Sequence, residues 1–355
     1  MKKRIDKLRN LMKKEKIDGF IIESKENRYY MSGFTGTAGK ILITENNSYF
    51  ITDFRYIEQA EEQTDGYQII KTKQNTAEII AELLKKAKVK NVGFESRNIN
   101  YYQYKKYKEI FETDLVAVDG ILGKMRMIKD QEEIDKIKKA VEIADKAFNH
   151  ICNYLEPGLT EREVSLELEY FMKKNGGERN AFDFIVASGV RSSLPHGVAS
   201  DKKLGDGDFI TMDFGTFYQG YCSDITRTVV LGKASSRQKE IYNIVLQAQL
   251  QVTETIKAGM SCKEADAVAR DIITDAGYKE NFGHGLGHGI GIEVHEGPRL
   301  SYTSDMILKE NMIVTNEPGI YIPDWGGVRI EDDLLITKEG CEVLNNSSKE
   351  LIEII

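Results

Sequence analysis

The chain has 355 residues, of which 41% are apolar and 30% charged, and its formal net charge is −7. This length is typical of roughly two domains of about 150 residues each, and the composition is that of an ordinary soluble globular protein. The acidic balance argues against a nucleic-acid-binding protein, because such proteins usually carry a basic surface.

The cysteines and the N-terminal residues indicate the cellular compartment. The cysteines at positions 152, 222, 262 and 341 are scattered without a C-x-x-C pair, which is typical of reduced thiols in a cytosolic protein. The basic start Lys2-Lys3-Arg4 is followed by further charges rather than by the apolar core of a signal peptide. No run of 18 apolar residues occurs. We therefore expect a cytoplasmic protein that does not span a membrane.

Residues 1–123 alternate short apolar runs with helical patterns, which predicts an α/β domain. A first amphipathic helix places Ile5, Leu8 and Met12 on one face. The predicted strands cover 19–22, 41–44, 49–52, 68–70, 91–94 and 115–118, and the predicted helices cover 54–64, 76–88 and 101–112. The Asn46-Asn47 pair is a hairpin signal. The aromatic and basic run in 101–108 is interpreted as a surface helix rather than a nucleic-acid site.

The second domain, residues 124–355, is predicted to open with a long helix. Asp130 is a suitable N-cap, with Glu133 three residues on to complete a capping box. Apolar residues follow at helical spacing from Ile134 to Leu155. Pro157-Gly158 is expected to stop the helix.

An internal repeat follows this helix. Gly158, Thr160, Glu163 and Gly176 recur 101 residues later as Gly259, Ser261, Glu264 and Gly277. Each set is a glycine, a Thr or Ser capping box, a helix and a terminating glycine. We favour a duplication, while chance agreement of four positions stays open. A duplication predicts two αβ halves packed face to face with a cleft between them.

Each half places two carboxylates beside predicted strands. In the first half Asp213 ends an apolar run, and Asp224 begins an alternating strand. In the second half Glu317 ends an apolar run, and Glu331 closes a strand in which Arg329 shares its face. Any one of these acids could be a turn cap or a surface group. Four negative charges in one cleft would repel strongly, and two divalent cations would neutralise them.

The histidines add to this set. Three of the five, His284, His288 and His295, crowd into one glycine-rich stretch. His284 and His288 have the i, i+4 spacing of a helical zinc site, but the alternating glycines disfavour a helix and predict a tight loop. His196 lies in another loop, and His150 is assigned to the polar side of the long helix as a structural residue. Carboxylates with one or two imidazoles and no thiolate suit Mn or Co better than structural Zn, and such a pair of ions can activate water for hydrolysis.

These residues resemble the ligand set of a known family. Asp213, Asp224, His288, Glu317 and Glu331 match, in type and order, the metal ligands of the pita-bread metallopeptidases, with spacings of 11, 64, 29 and 14 residues. The local contexts Met-Asp-Phe-Gly, Gly-His-Gly-Ile-Gly and Asn-Glu-Pro-Gly fit as well. The Pro-His-Gly and Val-His-Glu motifs and the sequence 33–39 resemble the proline-specific branch, prolidase and aminopeptidase P.

The resemblance covers essentially the whole chain and implies a fold. Residues 1–123 would be a creatinase-like α/β N-terminal domain. Residues 124–355 would be an α+β pita-bread catalytic domain with an internal pseudo-two-fold repeat. The implied enzyme is a dinuclear-metal peptidase that hydrolyses the Xaa-Pro bond through a metal-bridging hydroxide.

The resemblance also implies a role for each ligand. Asp213 would bind one metal ion, and His288 with Glu317 would bind the other. Asp224 and Glu331 would bridge the two ions. Glu317 would in addition carry protons, first as general base and then as general acid.

Other residues would act on the substrate. His196, His284, His295 and Arg329 would contact the substrate or stabilise the tetrahedral oxyanion, and Tyr321 is grouped with them as a substrate-binding residue.

Arg299 is the second predicted substrate-binding residue. It follows Pro298, which fixes its own φ and disfavours helix at Gly297, so the direction of Arg299 is reproducible. An arginine beside the proline of a dipeptide would bind the free carboxylate through a bidentate pair. A surface arginine, or a pair with a nearby acid, stays open.

The expected cofactors are two divalent metal ions per chain, with Mn favoured over Co and Zn. The expected partners are proline-containing peptides and a second copy of the chain in a homodimer. Neither nucleic acid nor a membrane is expected as a partner. Dipeptides and longer peptides both stay open as substrates.

Three alternatives share the fold. Methionine aminopeptidase has the same catalytic domain but usually lacks the additional α/β domain. A binding protein that had lost catalysis would typically have lost ligands, and a creatine-type hydrolase works without metal ions. The complete ligand set disfavours the last two.

Overall fold

The structure is a computed structural model that describes residues 1–73 and 75–355. These residues form two compact units, Met1–Arg126 and Met127–Ile355. The domain boundary between residues 123 and 124 stays a prediction. Within the described residues, no helix combines the length and the apolar character needed to cross a bilayer.

The first unit is a mixed α/β layer structure. Its helices are α1 Lys2–Lys14, α2 Lys25–Ser32, α3 Ile57–Gln63, α4 Thr76–Lys86, α5 Tyr101–Ile110 and α6 Ile121–Arg126. Its strands are β1 Gly19–Ile22, β2 Lys40–Thr44, β3 Ser48–Asp53, β4 Gln68–Thr72, β5 Asn91–Glu95 and β6 Asp114–Val118. They form one sheet in the order β4-β3-β2-β1-β5-β6. Each of the six runs predicted to be strands is a strand.

Local patterns explain most of this unit. Helix α1 buries Ile5, Leu8 and Met12, as its spacing predicts, and the Asn46-Asn47 pair lies in the turn between the antiparallel strands β2 and β3. Helix α5 is a surface helix that exposes Tyr101 and Tyr102. The helix predicted over 54–64 is divided, because the side chain of Asp53 accepts a hydrogen bond from the Arg55 backbone and begins a separate 3₁₀ turn before α3.

The second unit contains the longer helices and the remaining strands. Its helices are α7 Gln131–Cys152, α8 Glu161–Lys174, α9 Ser236–Thr255 and α10 Cys262–Asp275. Its strands are β7 Ile185–Ser188, β8 Phe209–Phe214, β9 Phe217–Tyr218, β10 Tyr221–Cys222, β11 Ile225–Leu231, β12 Gly287–Gly289, β13 Glu296–Leu300, β14 Ile313–Asn316, β15 Gly319–Ile322, β16 Gly326–Arg329, β17 Asp332–Ile336, β18 Cys341–Val343 and β19 Glu353–Ile354. The two larger sheets have the orders β19-β11-β8-β7 and β13-β12-β14-β17-β18.

Helix α7 begins where the sequence predicts and ends earlier. The Asp130 side chain accepts from the Glu133 backbone, and the Glu133 side chain accepts from the Asp130 backbone, which completes the capping box. The predicted stop at Pro157-Gly158 is wrong, because the helix ends at Cys152. The next residues turn back onto the last helical carbonyls, with the Leu155 N–H bonded to the Ile151 carbonyl. This turn ends the helix before Pro157 is reached.

The repeat predicted from four matched positions is present in the structure. Thr160 with Glu163 caps α8, and Ser261 with Glu264 caps α10, each as a reciprocal capping box. The φ angles are 94° at Gly158, 92° at Gly259, 101° at Gly176 and 90° at Gly277. Because this left-handed region favours glycine, the four glycines are required by the backbone. Each half is therefore a long helix, a capped helix and a sheet, with a hydrophobic core of its own.

The matched caps lead to a prediction about stability. Thr160→Ala and Ser261→Ala should each lower the free energy of unfolding by about 1 kcal/mol, because each leaves a helix N-terminus without its side-chain acceptor. Urea denaturation of the purified variants measures this loss. Thr303→Ala is the control, since Thr303 is exposed and, among the described residues, its hydroxyl bonds to the Ser301 hydroxyl rather than to a helix N-terminus. Losses no larger than that of the control would contradict the capping role.

Candidate metal centre

A cavity of about 650 Å³ in the second unit brings the predicted site residues together. Its lining includes Asp213, Asp224, His288, Glu317 and Glu331 together with His196, His284, His295, Arg299 and Arg329. Residues from both halves of the repeat therefore contribute to one cavity. Their roles as ligands and catalytic residues stay predictions.

The first half contributes two buried aspartates from neighbouring strands. Asp213 lies on β8 opposite Thr226 on β11, and Asp224 immediately precedes β11. The Arg329 guanidinium donates from Nη2 to Asp213 Oδ2 at 2.5 Å. The Oδ1 atoms of both aspartates are buried and have no hydrogen-bond partner among the described residues. Each aspartate thus has a buried oxygen that a cation could bind.

His288 lies on a strand, so the loop predicted for the glycine-rich stretch is wrong at this point. Strand β12 pairs with β13 on one side and β14 on the other. A Cβ on Gly287 would lie 2.2 Å from the Thr315 carbonyl oxygen, and one on Gly289 would lie 2.1 Å from the Gly297 carbonyl oxygen. The glycines let three backbones approach closely. The resulting pairing on both sides stabilises β12 as a strand, although glycines without such neighbours would weaken one.

Glu317 and Glu331 follow the strands β14 and β16. The Thr315 hydroxyl donates to Glu317 Oε1 at 3.2 Å, and His288 Nε2 lies 3.4 Å from the same oxygen. The Thr226 hydroxyl donates to Glu331 Oε2 at 2.5 Å. Both carboxylates are thereby oriented by a threonine.

Asp224, His288 and Glu331 can offer one ligand atom each, and these atoms all lie within 4.8 Å of one another. Buried carboxylate oxygens without partners are costly unless a cation compensates them. A set of oxygen atoms and one imidazole suits a divalent ion such as Mn²⁺. The residues present therefore fit a divalent metal ion.

Burial shifts the pKa values of these groups. Burial raises the pKa of Asp224 and of Glu331 well above the ordinary value, and nearby carboxylates raise both further. Burial also raises the pKa of Glu317 to about 7, although the Arg329 charge opposes this shift. Burial lowers the pKa of His288 to about 4, which keeps its imidazole in the neutral form that binds metals. A cation would reverse the shifts of the carboxylates, because it favours their charged forms.

A hydrogen-bond chain runs along the cavity wall from Arg329 to His284. Arg329 Nη1 donates to the Tyr321 hydroxyl at 2.8 Å, and that hydroxyl lies 2.9 Å from His284 Nε2. His284 Nδ1 lies 2.8 Å from the Gly285 carbonyl, which only accepts, so Nδ1 carries the proton and Nε2 accepts from Tyr321. Burial lowers the pKa of His284 to about 4, consistent with a neutral ring. Tyr321 thus lies behind the cavity wall and connects two predicted catalytic residues.

The remaining predicted residues lie at exposed positions of the cavity. His196 follows Pro195, whose carbonyl accepts from Arg329 Nη1 at 3.1 Å. The ring of His295 lies 4.4 Å from the ring of His288, measured between centroids. Arg299 lies opposite His288 in the β12–β13 register and is exposed. Within the described part of the chain, no carboxylate forms an ion pair with Arg299, which disfavours the alternative of a nearby acid.

Comparison with known proteins places the chain in a family. The model of metallopeptidase family M24 matches residues 135–338, and the model of the creatinase/prolidase N-terminal domain matches residues 4–128. The chain belongs to metallopeptidase family M24. It is a hydrolase, and the predicted family, enzyme class and fold class are confirmed.

Similar proteins cover nearly the whole chain. An Xaa-Pro dipeptidase from Pyrococcus horikoshii is 44% identical over 355 residues, 99% of each chain. Among solved structures, an Xaa-Pro dipeptidase from Bacillus anthracis has a TM-score of 0.97 and 50% identity, with 99% of each chain covered. An X-Pro aminopeptidase from Thermotoga maritima has a TM-score of 0.91 and 42% identity, with 95% of this chain and 98% of that chain covered.

Sequence reasoning missed several cavity residues. Phe182, Asp183, Ile185 and Val198 also line the cavity, and Ile185 pairs with Val198. They lie in an irregular segment and at strand ends, where no periodic pattern marks a functional face. Thr226 lies on the alternating strand that Asp224 begins, but its contact with Glu331 depends on tertiary structure.

The close packing around β12 leads to a second prediction. Gly287→Ala should destabilise the protein by at least about 1–3 kcal/mol, because the new methyl group would collide with the Thr315 backbone. Gly283→Ala is the matched control, since a Cβ there meets no atom within 4 Å. Thermal unfolding of both metal-free variants measures the difference. Equal melting temperatures would show that β12 is not packed as described.

Proposed function

We propose that this chain is a dinuclear-metal peptidase that hydrolyses the peptide bond in front of proline. The observation that carries the proposal is the convergence of Asp213, Asp224, His288, Glu317 and Glu331 on one cavity. The relatives named Xaa-Pro dipeptidase and X-Pro aminopeptidase support the proline specificity.

The five residues would hold two divalent ions. Asp213 would bind one ion, His288 and Glu317 the other, and Asp224 and Glu331 both. The ions would polarise the scissile carbonyl and lower the pKa of the attacking water. We propose manganese, because the set has four carboxylates, one imidazole and no thiolate.

Glu317 is the proposed proton carrier. Its carboxylate lines the cavity beside His288, where it could accept a proton from the attacking water and release it again. It would accept a proton from water as the new C–O bond forms. It would then donate that proton to the proline nitrogen as the C–N bond breaks.

The wall of the cavity would stabilise the developing negative charge. Arg329 is buried against Asp213 and Tyr321, and burial of its charge is offset by these groups, which raise its pKa. Preorganised donors in a buried site stabilise an oxyanion without reorganising. Arg329 would supply such a donor, held in place by Tyr321. His196, His284 and His295 line the cavity and would contact the substrate.

Dipeptides are the proposed substrates. Arg299 faces the cavity beside His288 and has no ion-pair partner among the described residues, so it can bind a free carboxylate. Hydrolysis of longer peptides is the second candidate, favoured by the X-Pro aminopeptidase from Thermotoga maritima. The homodimer and the cytoplasmic location stay predictions.

Metal removal tests the proposed function. Dialysis against a chelator should abolish hydrolysis of the dipeptide Leu-Pro, and added Mn²⁺ should restore it, because the buried carboxylates need the cation. A colorimetric assay of released proline follows the reaction, and Leu-Ala is the control substrate. Full activity in protein shown to be metal-free would contradict the mechanism.

A substitution at Arg299 tests whether dipeptides or longer peptides are the substrates. Arg299→Ala should lower kcat/KM for Leu-Pro by roughly 10- to 100-fold, because a charge-assisted pair is lost. The tripeptide Leu-Pro-Gly has no carboxylate at that point and should be unaffected. Arg97→Ala, a change at an exposed arginine paired with Asp119, is the control. Equal losses for both peptides, or no loss, would reject the carboxylate anchor.

A further inference from the structure

Two polar residues connect the halves of the repeat behind the candidate metal centre. Thr226 lies two residues after Asp224, and Asp333 lies two residues after Glu331. Asp333 Oδ2 accepts from the Asp224 backbone N–H at 3.0 Å. The Thr226 carbonyl accepts from the Glu331 backbone N–H at 3.0 Å. Each half thus accepts a hydrogen bond from the backbone N–H of the acidic residue that the other half contributes. We call Thr226 and Asp333 the cross-brace.

Thr226 also fixes the Glu331 side chain. Its hydroxyl accepts from Arg329 Nε at 3.0 Å and donates to Glu331 Oε2 at 2.5 Å. A hydroxyl has one proton, so the donor on one side directs that proton to the carboxylate on the other. Because Thr226 is fully buried, no solvent competes for this bond. The orientation of the Glu331 carboxylate is therefore determined by Thr226.

Asp333 is held in place by its own neighbours. It is fully buried on β17, opposite Thr315 on β14. Its backbone N–H donates to Asn345 Oδ1 at 2.7 Å. The Thr315 hydroxyl in turn accepts from the His288 backbone and donates to Glu317. The strand pair β14–β17 consequently supports three of the five proposed ligands.

We propose that Thr226 and Asp333 are positioning residues that set the separation and orientation of Asp224 and Glu331, and through them the affinity for divalent metal. This role rests on the proposed function. Two buried carboxylates repel each other, so free side chains would rotate apart before a cation binds. Thr226 opposes that rotation at the Glu331 carboxylate, and Asp333 fixes the backbone from which the Asp224 side chain extends. Residues that orient metal ligands typically change metal affinity about 10- to 100-fold when they are replaced.

The test compares two buried threonines on the same strand. Thr226→Val removes the hydroxyl and keeps the shape of the side chain. Thr228→Val is the matched control, because Thr228 is equally buried on β11 and its hydroxyl bonds to Thr211 and to the Arg329 backbone rather than to a proposed ligand. Isothermal titration of the stripped full-length chain with MnCl₂ gives the dissociation constant, and the melting temperature of the stripped protein reports the fold.

We expect Thr226→Val to weaken Mn²⁺ binding about 10- to 100-fold. Thr228→Val and Thr226→Ser should bind as the unaltered chain does, since serine restores the hydroxyl. Unchanged affinity in Thr226→Val, or an equal loss in Thr228→Val, would overturn the positioning role. Should Thr226→Val not fold, Thr226→Ala removes the same hydroxyl with a smaller side chain and decides in the same way.

Failure of this inference is distinct from failure of the proposed function. If the unaltered chain binds no Mn²⁺, the metal centre itself is wrong. If the unaltered chain binds Mn²⁺ and Thr226→Val binds equally well, only the cross-brace is wrong.

Discussion

Repulsion between buried carboxylates is the constraint on which the second unit depends. Asp213, Asp224, Glu317 and Glu331 all line one cavity, and burial raises the pKa of the last three. A protein that buries such groups for no purpose would lose stability, so the arrangement needs a compensating charge. Divalent cations would provide it, and the same cations would supply the chemistry that a peptidase requires.

The fold prepares these carboxylates before any cation binds. Arg329 pairs with Asp213, Thr226 orients Glu331, and Thr315 contacts both Glu317 and the His288 backbone. Each partner is buried, so it holds its ligand without competition from water. The charge of Arg329 also offsets part of the repulsion. The polar groups around the cavity would therefore be part of the proposed metal centre.

Local sequence patterns predicted the elements that carry this site. Capping boxes at Asp130, Thr160 and Ser261 depend on residues three positions apart, and each lies where its spacing places it. The strand runs of the first unit and the repeat of the second unit were likewise visible, because alternation and matched glycines are local properties. The ligand candidates followed from residue type and order.

Contacts between distant residues could not be predicted in this way. Strand β12 forms because the glycines around His288 let β13 and β14 pack closely on either side. No local sequence pattern predicts that these strands are its neighbours. Thr226 and Glu331 are 105 residues apart in sequence, and Asp213 and Arg329 are 116 apart. Such pairs become apparent only when the two halves of the repeat are brought together.

In the proposed metal centre, two cations share the carboxylates of Asp224 and Glu331. Anomalous diffraction from crystals grown with Mn²⁺ would locate these ions. We expect two peaks in each chain, about 3.5–4 Å apart, with Asp224 and Glu331 oxygens in contact with both. A single peak, or two peaks that do not share these carboxylates, would contradict the account.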